Sequence, residues 1–185
     1  HFVHTCRRNV NMTYIVMNNQ IYGLTTGQAS PTTEKGVWTK STPEGTIEMA
    51  LSPIALALTC GATYIARGFS GENLHLAQLM KGAIEHKGFA LVDVFSPCVT
   101  YNKHNTYPWF RERIYKLEDE RHDPSDFRLA MEKAFEWGAR IPIGLFYKVD
   151  RPTYEDEEPA LRSGKPLAKQ PLRRTDLASI MEDFI

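Results

Sequence analysis

Short apolar runs alternate with helically spaced apolar stripes through most of the chain. Met12 to Met17 (MTYIVM) is rich in β-branched and aromatic residues and short enough to predict a buried strand. Pro53 to Cys60 (PIALALTC) predicts a helix that opens on Pro53 and is stopped by Gly61. Thr63 to Arg67 (TYIAR) then predicts a strand. Leu74, Leu76, Leu79, Met80, Ala83 and Ile84 recur at helical spacing before Gly88, which predicts an amphipathic helix over Asn73 to His86. Phe89 to Phe95 (FALVDVF) predicts the next strand. Phe127, Ala130, Met131, Ala134 and Phe135 form another helical stripe, and Ile141 to Val149 (IPIGLFYKV) a last strand.

Strand and helix in alternation is the pattern of βαβ units, so the expected fold class is α/β, a doubly wound and mostly parallel sheet. Two stretches break the pattern. Asn18 to Ser41 is rich in Thr, Gly, Ser and Pro, lacks apolar periodicity, and continues into Ser41 to Gly45 (STPEG); loops of that length usually carry function. Beyond Asp150 a Glu/Asp run (Glu155 to Glu158) and four prolines within Arg151 to Pro171 describe a solvated extension. The expected organisation is an α/β domain over 1–150 and an extended tail over 151–185, whose Leu177 to Ile185 can form a short amphipathic helix docking on another subunit.

Charge removes whole classes of partner. Lys plus Arg and Asp plus Glu each number 22 in 185 residues, so the formal net charge is zero and offers no footprint for nucleic acid or an anionic membrane. With 42% hydrophobic and 24% charged residues the composition is globular, and no apolar run approaches the roughly 18 residues that span a bilayer. Three cysteines, Cys6, Cys60 and Cys98, do not make a disulfide framework, so a reducing cytoplasm is the expected compartment. The chain starts at His1, without Met, and runs almost at once into a strand, so an N-terminal part is expected to be missing.

The strongest chemical signal is Asn18-Asn19-Gln20-Ile21-Tyr22-Gly23-Leu24-Thr25, placed where a strand ends, the position at which doubly wound sheets bind ligands. An Asn carboxamide oxygen and a backbone carbonyl two residues on are neutral hard ligands suited to Mg²⁺ that keeps water and phosphate oxygens. Gly23 lets the backbone approach a phosphate, to which its amide and that of Leu24 can donate. On these letters alone a plain turn is the competing account. Cys98, in Ser96-Pro97-Cys98-Val99 after a strand, stands where a lone cysteine is more often an inert thiol than a ligand. The cluster Trp109, Phe110, Arg111 and Arg113 reads as packing and an interface, or as a nucleotide or coenzyme A contact.

HTCRRNVNMTYIVMNNQIYGLTTGQASPTT, followed in order by STPEG, GATYIAR, FSPCVTYN, IPIGLFY and RPTYE, resembles the β subunit of 2-oxoacid:ferredoxin oxidoreductases, in the style of the 2-oxoglutarate branch (2-oxoglutarate synthase). The resemblance extends from His1 to about Glu155. It implies thiamine diphosphate, Mg²⁺ and a four-iron four-sulfur (4Fe-4S) cluster as cofactors. Asn19 would bind Mg²⁺ through its side chain and Ile21 through its carbonyl. Gly23 and Leu24 would hold the diphosphate, with Tyr22 and Thr25 as further contacts, and Cys98 would be a cluster ligand. His1 and His4 fall in the family's HxxH helix, as packing residues or cofactor contacts. The resemblance names no catalytic residue here. The family's Gly-Asp-Gly stretch and its other three cluster cysteines have no counterpart in this sequence, and neither Cys6 nor Cys60 is placed to replace them.

The activity implied is oxidative decarboxylation of 2-oxoglutarate to succinyl-CoA and CO₂, with coenzyme A as cosubstrate and ferredoxin as electron acceptor. The expected assembly is a hetero-oligomer with an α subunit, such as α2β2. Three rivals stand beside it: pyruvate or broad 2-oxoacid specificity, a non-redox thiamine diphosphate decarboxylase, and a structural fragment without turnover.

Overall fold

The computed structural model describes residues 1–162, 165–169 and 181–182. It divides into two units, His1–Tyr154 and Glu155–Ile185, each taken by itself. The helix expected over 177–185 lies outside the described residues, apart from residues 181–182.

In the first unit, helix α1 (Phe2–Arg8) leads into strand β1 (Met12–Asn18), and after a long loop helix α2 (Pro53–Cys60) leads into β2 (Tyr64–Phe69). Helix α3 (Asn73–Glu85), strand β3 (Phe89–Phe95), helix α4 (Tyr107–Arg111), strand β4 (Ile114–Lys116), helix α5 (Phe127–Ala134) and strand β5 (Ile141–Lys148) follow. Local chemistry sets the ends. The Ser52 hydroxyl accepts from Ala55 N–H with Pro53 in the first turn, and Gly61 closes α2 in the left-handed conformation. Asp126 caps α5 in the same way.

The sheet order is β1-β3-β2-β5-β4. Strands β1, β3 and β2 are parallel, as the βαβ pattern requires, whereas β5 runs antiparallel to β2 and β4 parallel to β5. The sheet is therefore mostly parallel and mixed at one side. Helices cover both faces: α1, α2 and α5 enclose a core with Ile54, Ile65, Leu91 and Phe146, while α3 packs over Tyr64, Ala66, Val92 and Val94. Short α4 and β4, which no apolar period marks, place Phe110 in an aromatic cluster with Phe69, Phe95, Trp109 and Trp137. Trp109 and Phe110 thus serve packing, and the Arg113 guanidinium lies over the Trp109 ring at 4.6 Å.

One expectation is corrected. Strand β1 is an edge strand, paired only with β3, so Tyr14, Ile15 and Met17 are exposed where the apolar run predicts a buried strand. β2 and β3, flanked on both sides, are buried at every position. An apolar run alone does not separate an edge strand from a central one.

Candidate cofactor site

The site forms where β1 and β3 end together. Ser96 N–H donates to the Asn18 carbonyl at 2.9 Å, which carries the pairing one step past the strands. Two successive Asx turns follow: Gln20 N–H donates to Asn18 Oδ1 (3.2 Å) and Ile21 N–H to Asn19 Oδ1 (3.1 Å). They bend the chain through Gln20 at φ 56°, the left-handed region that Asn, Asp and Gly enter more readily than Gln. The loop that lacked periodicity supplies the support. The Thr32 hydroxyl donates to Asn18 Oδ1 (2.8 Å) and the Thr33 hydroxyl to the Gln20 carbonyl (2.7 Å).

Beyond the turn the chain doubles back, with Tyr22 N–H bonded to the Gln28 carbonyl and Gly27 N–H to the Tyr22 carbonyl. The Gly23 and Leu24 amides and the Ile21 carbonyl have no hydrogen-bond partner among the described residues, so two donors and one acceptor are free on one short loop. Asn19 retains acceptor capacity on its amide oxygen. The Leu24 side chain is 99% exposed and Tyr22 is exposed, while Ile21 is buried. The Thr25 hydroxyl is engaged with Gln28 Oε1 at 2.5 Å. The loop lines an open cleft of about 660 Å³ whose other walls include Tyr14, Met17, Leu51 and Leu56.

Cys98 meets this loop from the β3 side. A side-chain carbon built on Gly23 would stand 3.4 Å from both Asn19 Nδ2 and Cys98 Sγ. Asn102 ties the two segments together: its N–H donates to the Cys98 carbonyl and its side-chain amide to the Asn19 carbonyl, each at 3.1 Å. Partial burial disfavours the Cys98 thiolate, but bonds from the Tyr101, Thr100 and Asn102 amides and the charge of Lys103 outweigh it and hold the thiol below its ordinary value. Cys6 is the opposite case. It is fully buried in the core, and desolvation, with Cys60 adding to it, pushes its thiol up to about 12. The side chains of His1 and His4 are exposed. The STPEG segment folds as a turn, Gly45 N–H to the Thr42 carbonyl, and Ser41 Oγ accepts from Ala29 N–H.

The periodicity reading passes over two residues beneath the loop. Arg67 and Asp93 stand opposite each other on β2 and β3, 3% and 0% exposed, with Nε and Oδ2 3.2 Å apart. Asp93 also accepts from Asn18 Nδ2 at 3.1 Å. Burial pushes the Asp93 carboxyl above its ordinary range, and the Arg67 charge beside it opposes the shift. The signal was available: each is the one charged residue in an otherwise apolar strand. Among the described residues no group of three or more His, Cys, Asp or Glu side chains is placed to hold a metal ion; the oxygens that Asn19 and Ile21 offer are of amide and peptide type.

Comparison with known proteins agrees with this geometry. Residues 1–94 match the family model for the thiamine pyrophosphate enzyme C-terminal TPP-binding domain, and residues 98–163 that for the C-terminal part of the pyruvate ferredoxin oxidoreductase β subunit. The chain is 43% identical to subunit beta of 2-oxoacid:ferredoxin oxidoreductase 1 from Aeropyrum pernix, over 98% of this chain and 62% of that protein. It is 35% identical to the 2-oxoglutarate synthase subunit KorB of Methanocaldococcus jannaschii, over 85% of this chain and 58% of that one. A solved structure, 2-oxoglutarate:ferredoxin oxidoreductase from Magnetococcus marinus with 2-oxoglutarate, coenzyme A and succinyl-CoA bound, superposes with a TM-score of 0.85 at 41% identity, over 98% of this chain and 61% of that one. The chain belongs to the thiamine pyrophosphate enzymes, and within them to the β subunits of the 2-oxoacid:ferredoxin oxidoreductases. It spans between 55% and 62% of the length of the first three curated relatives it matches. The resemblance carried by NNQIYGLT and the α/β class are both borne out.

Proposed function

We propose that the chain is part of a CoA-acylating 2-oxoacid:ferredoxin oxidoreductase that converts 2-oxoglutarate to succinyl-CoA and CO₂, with ferredoxin as electron acceptor. The observation that carries this reading is that the side chains of Asn19, whose amide oxygen is a metal-type donor, and Cys98, an ionisable thiol, both border Gly23 on one small loop pair. A non-redox decarboxylase of the same cofactor class needs the first and has no use for the second.

The residues present fit the cofactors. The Asn19 amide oxygen and the free Ile21 carbonyl would hold Mg²⁺, leaving its other positions to phosphate and water oxygens. The free Gly23 and Leu24 amides would hold the diphosphate, with Tyr22 and Thr25 at the rim. The Cys98 thiolate, stabilised by three backbone amides, would be one ligand of a 4Fe-4S cluster. When bound, thiamine diphosphate supplies the carbon nucleophile and electron sink for decarboxylation. The chain's own contribution is to orient the diphosphate and the metal and to keep a thiolate available beside them.

The complete protein is proposed to work in the cytoplasm as a hetero-oligomer with an α subunit, such as α2β2. The names of the relatives support a 2-oxoacid as substrate, and the KorB relatives support 2-oxoglutarate. The test is to assay the complete complex with 2-oxoglutarate, pyruvate and 2-oxoisovalerate, each with coenzyme A and ferredoxin. Turnover highest on 2-oxoglutarate, with bleaching of the cluster's visible absorbance, is expected. Equal rates would replace this substrate with a broad class, and a complex without iron would overturn the oxidoreductase reading.

A further inference from the structure

We propose that Arg67 and Asp93 are positioning residues for the Mg²⁺ and diphosphate loop, acting through Asn18; this rests on the cofactor reading above. A buried ion pair is a poor source of stability, since replacing both partners with apolar groups is often neutral or stabilising. Among the described residues no ion pair is more deeply buried than this one. Its guanidinium is also held between the Phe95 and Phe146 rings, 5.0 and 5.1 Å from their centres. Its consequence lies in where the second carboxylate oxygen goes.

Asp93 Oδ2 is taken by Arg67 Nε, so Oδ1 is left for Asn18 Nδ2. That bond decides which way the Asn18 amide faces. Its nitrogen must point at the carboxylate, and its oxygen must therefore point at the loop, where it accepts from both Gln20 N–H and Thr32 Oγ1. A reversed amide would set oxygen against oxygen on one side and donors against donors on the other. Gln20 pays for its left-handed backbone and is held there by this acceptor on its N–H and by Thr33 on its carbonyl. Gln20 stands between Asn19 and Ile21, so its φ sets the angle between the two proposed metal oxygens. A charge fixed in the sheet thereby sets the direction of a carbonyl four residues from Met17. Outer partners of this kind typically govern metal affinity by about 10- to 100-fold.

The test compares two double variants of the full β subunit in its complex. Arg67→Met with Asp93→Asn removes both charges and leaves a carbonyl oxygen for Asn18 Nδ2; Arg67→Met with Asp93→Leu removes the charges and the acceptor. Melting temperature is measured without cofactor, and thiamine diphosphate affinity at fixed Mg²⁺ is read from quenching of tryptophan fluorescence. The Leu variant is expected to bind at least about tenfold more weakly than the Asn variant, with no matching gap in melting temperature. Equal affinities would overturn the proposal, as would an affinity gap fully tracked by loss of folding. If neither double variant folds, Thr32→Val removes the second donor to Asn18 Oδ1 from a half-buried position. It is expected to weaken binding about threefold, and unchanged affinity would overturn the proposal. A parent complex that binds no thiamine diphosphate would instead refute the cofactor reading.

Discussion

Asn19 Nδ2 and Cys98 Sγ stand at the same 3.4 Å from the point where a side chain on Gly23 would begin. A methyl group there would touch both, so the end of β1 and the loop after β3 face each other across this one position. Gly23 does not need glycine for its backbone, since its φ is not in the left-handed region, so Ala fits there at ordinary contact distance. Gly23→Val adds two further carbons that must displace Asn19, Cys98 or both, an overpacking of about 1–3 kcal/mol. The full complex carrying Gly23→Ala is expected to keep its iron and thiamine diphosphate. Gly23→Val is expected to lose both together, read by iron content and cofactor content of the purified protein. Loss of one without the other would show that the two sites do not share this contact.

The amide cradle around Cys98 has its own signature. The thiolate is the reacting form of cysteine, so the pH at which alkylation reaches half its maximal rate follows the thiol pKa. In cluster-free protein, Cys98 is expected to reach it below the value of a free cysteine peptide, about 8.5, because the Tyr101, Thr100 and Asn102 amides and Lys103 outweigh its partial burial. Lys103→Met should move the midpoint up. Cys6, with its thiol near 12 and no exposed surface, should stay unlabelled until the chain unfolds. Mass-spectrometric alkylation profiles check all three, and a Cys98 midpoint at or above that of the peptide would remove the cradle.

Periodicity carried the sequence reading a long way where burial is uniform and less far where it is not. The strands Phe89–Phe95 and Met12–Asn18 look alike in composition, yet one is central and the other an edge, because pairing partners lie far away in sequence. The antiparallel β5 was illegible for the same reason: the direction of a strand is set by what precedes it in space. Helix α4 and strand β4, five and three residues long, are too short to show a period. The asparagine loop was legible because its chemistry resides in local letters. Its foundation was not: Arg67 and Asp93 are 26 residues apart and meet only through register.

Asn9 closes the opposite end of the sheet and should be among the least replaceable residues outside the site. It adopts φ 48°, and its buried side chain accepts from Phe89 N–H (2.9 Å) and the Thr63 hydroxyl (2.8 Å) while donating to the Pro152 carbonyl (3.0 Å). Asn9→Ala orphans these groups and adds the left-handed penalty, an expected loss of about 2–4 kcal/mol in urea unfolding. Asn9→Gly relieves only the backbone and should lose less. Gly88→Ala should resemble Asn9→Ala, since at φ 121° its new carbon would meet Asn9 Oδ1 at 2.5 Å and Thr63 Oγ1 at 2.7 Å. A Gly88→Ala protein as stable as the parent would contradict this packing.

The same cluster sets an acid limb to stability. The Thr63 hydroxyl hydrogen is committed to Asn9 Oδ1, which can only accept, so His86 Nε2, 2.8 Å from Thr63 Oγ1, must carry a proton and donate it. The neutral ring is thus fixed as the Nε2–H form, and a second proton has to enter at Nδ1. Burial, seconded by the charge of Lys148 and opposed by Asp150, holds the His86 pKa below its ordinary value. With the folded value depressed, the unfolded chain binds a proton that the folded chain refuses. The stabilisation is therefore complete above the unfolded pKa, about 6.5, and drains away as pH falls from there through the folded value. Asp150→Asn removes the one charge favouring the imidazolium and should steepen the loss, while Lys148→Met should soften it. His86→Gln keeps a donor for Thr63 without a titrating ring and is expected to flatten this limb in urea midpoints measured between about pH 5 and 8. An acid limb of the same slope in His86→Gln would assign it to other groups.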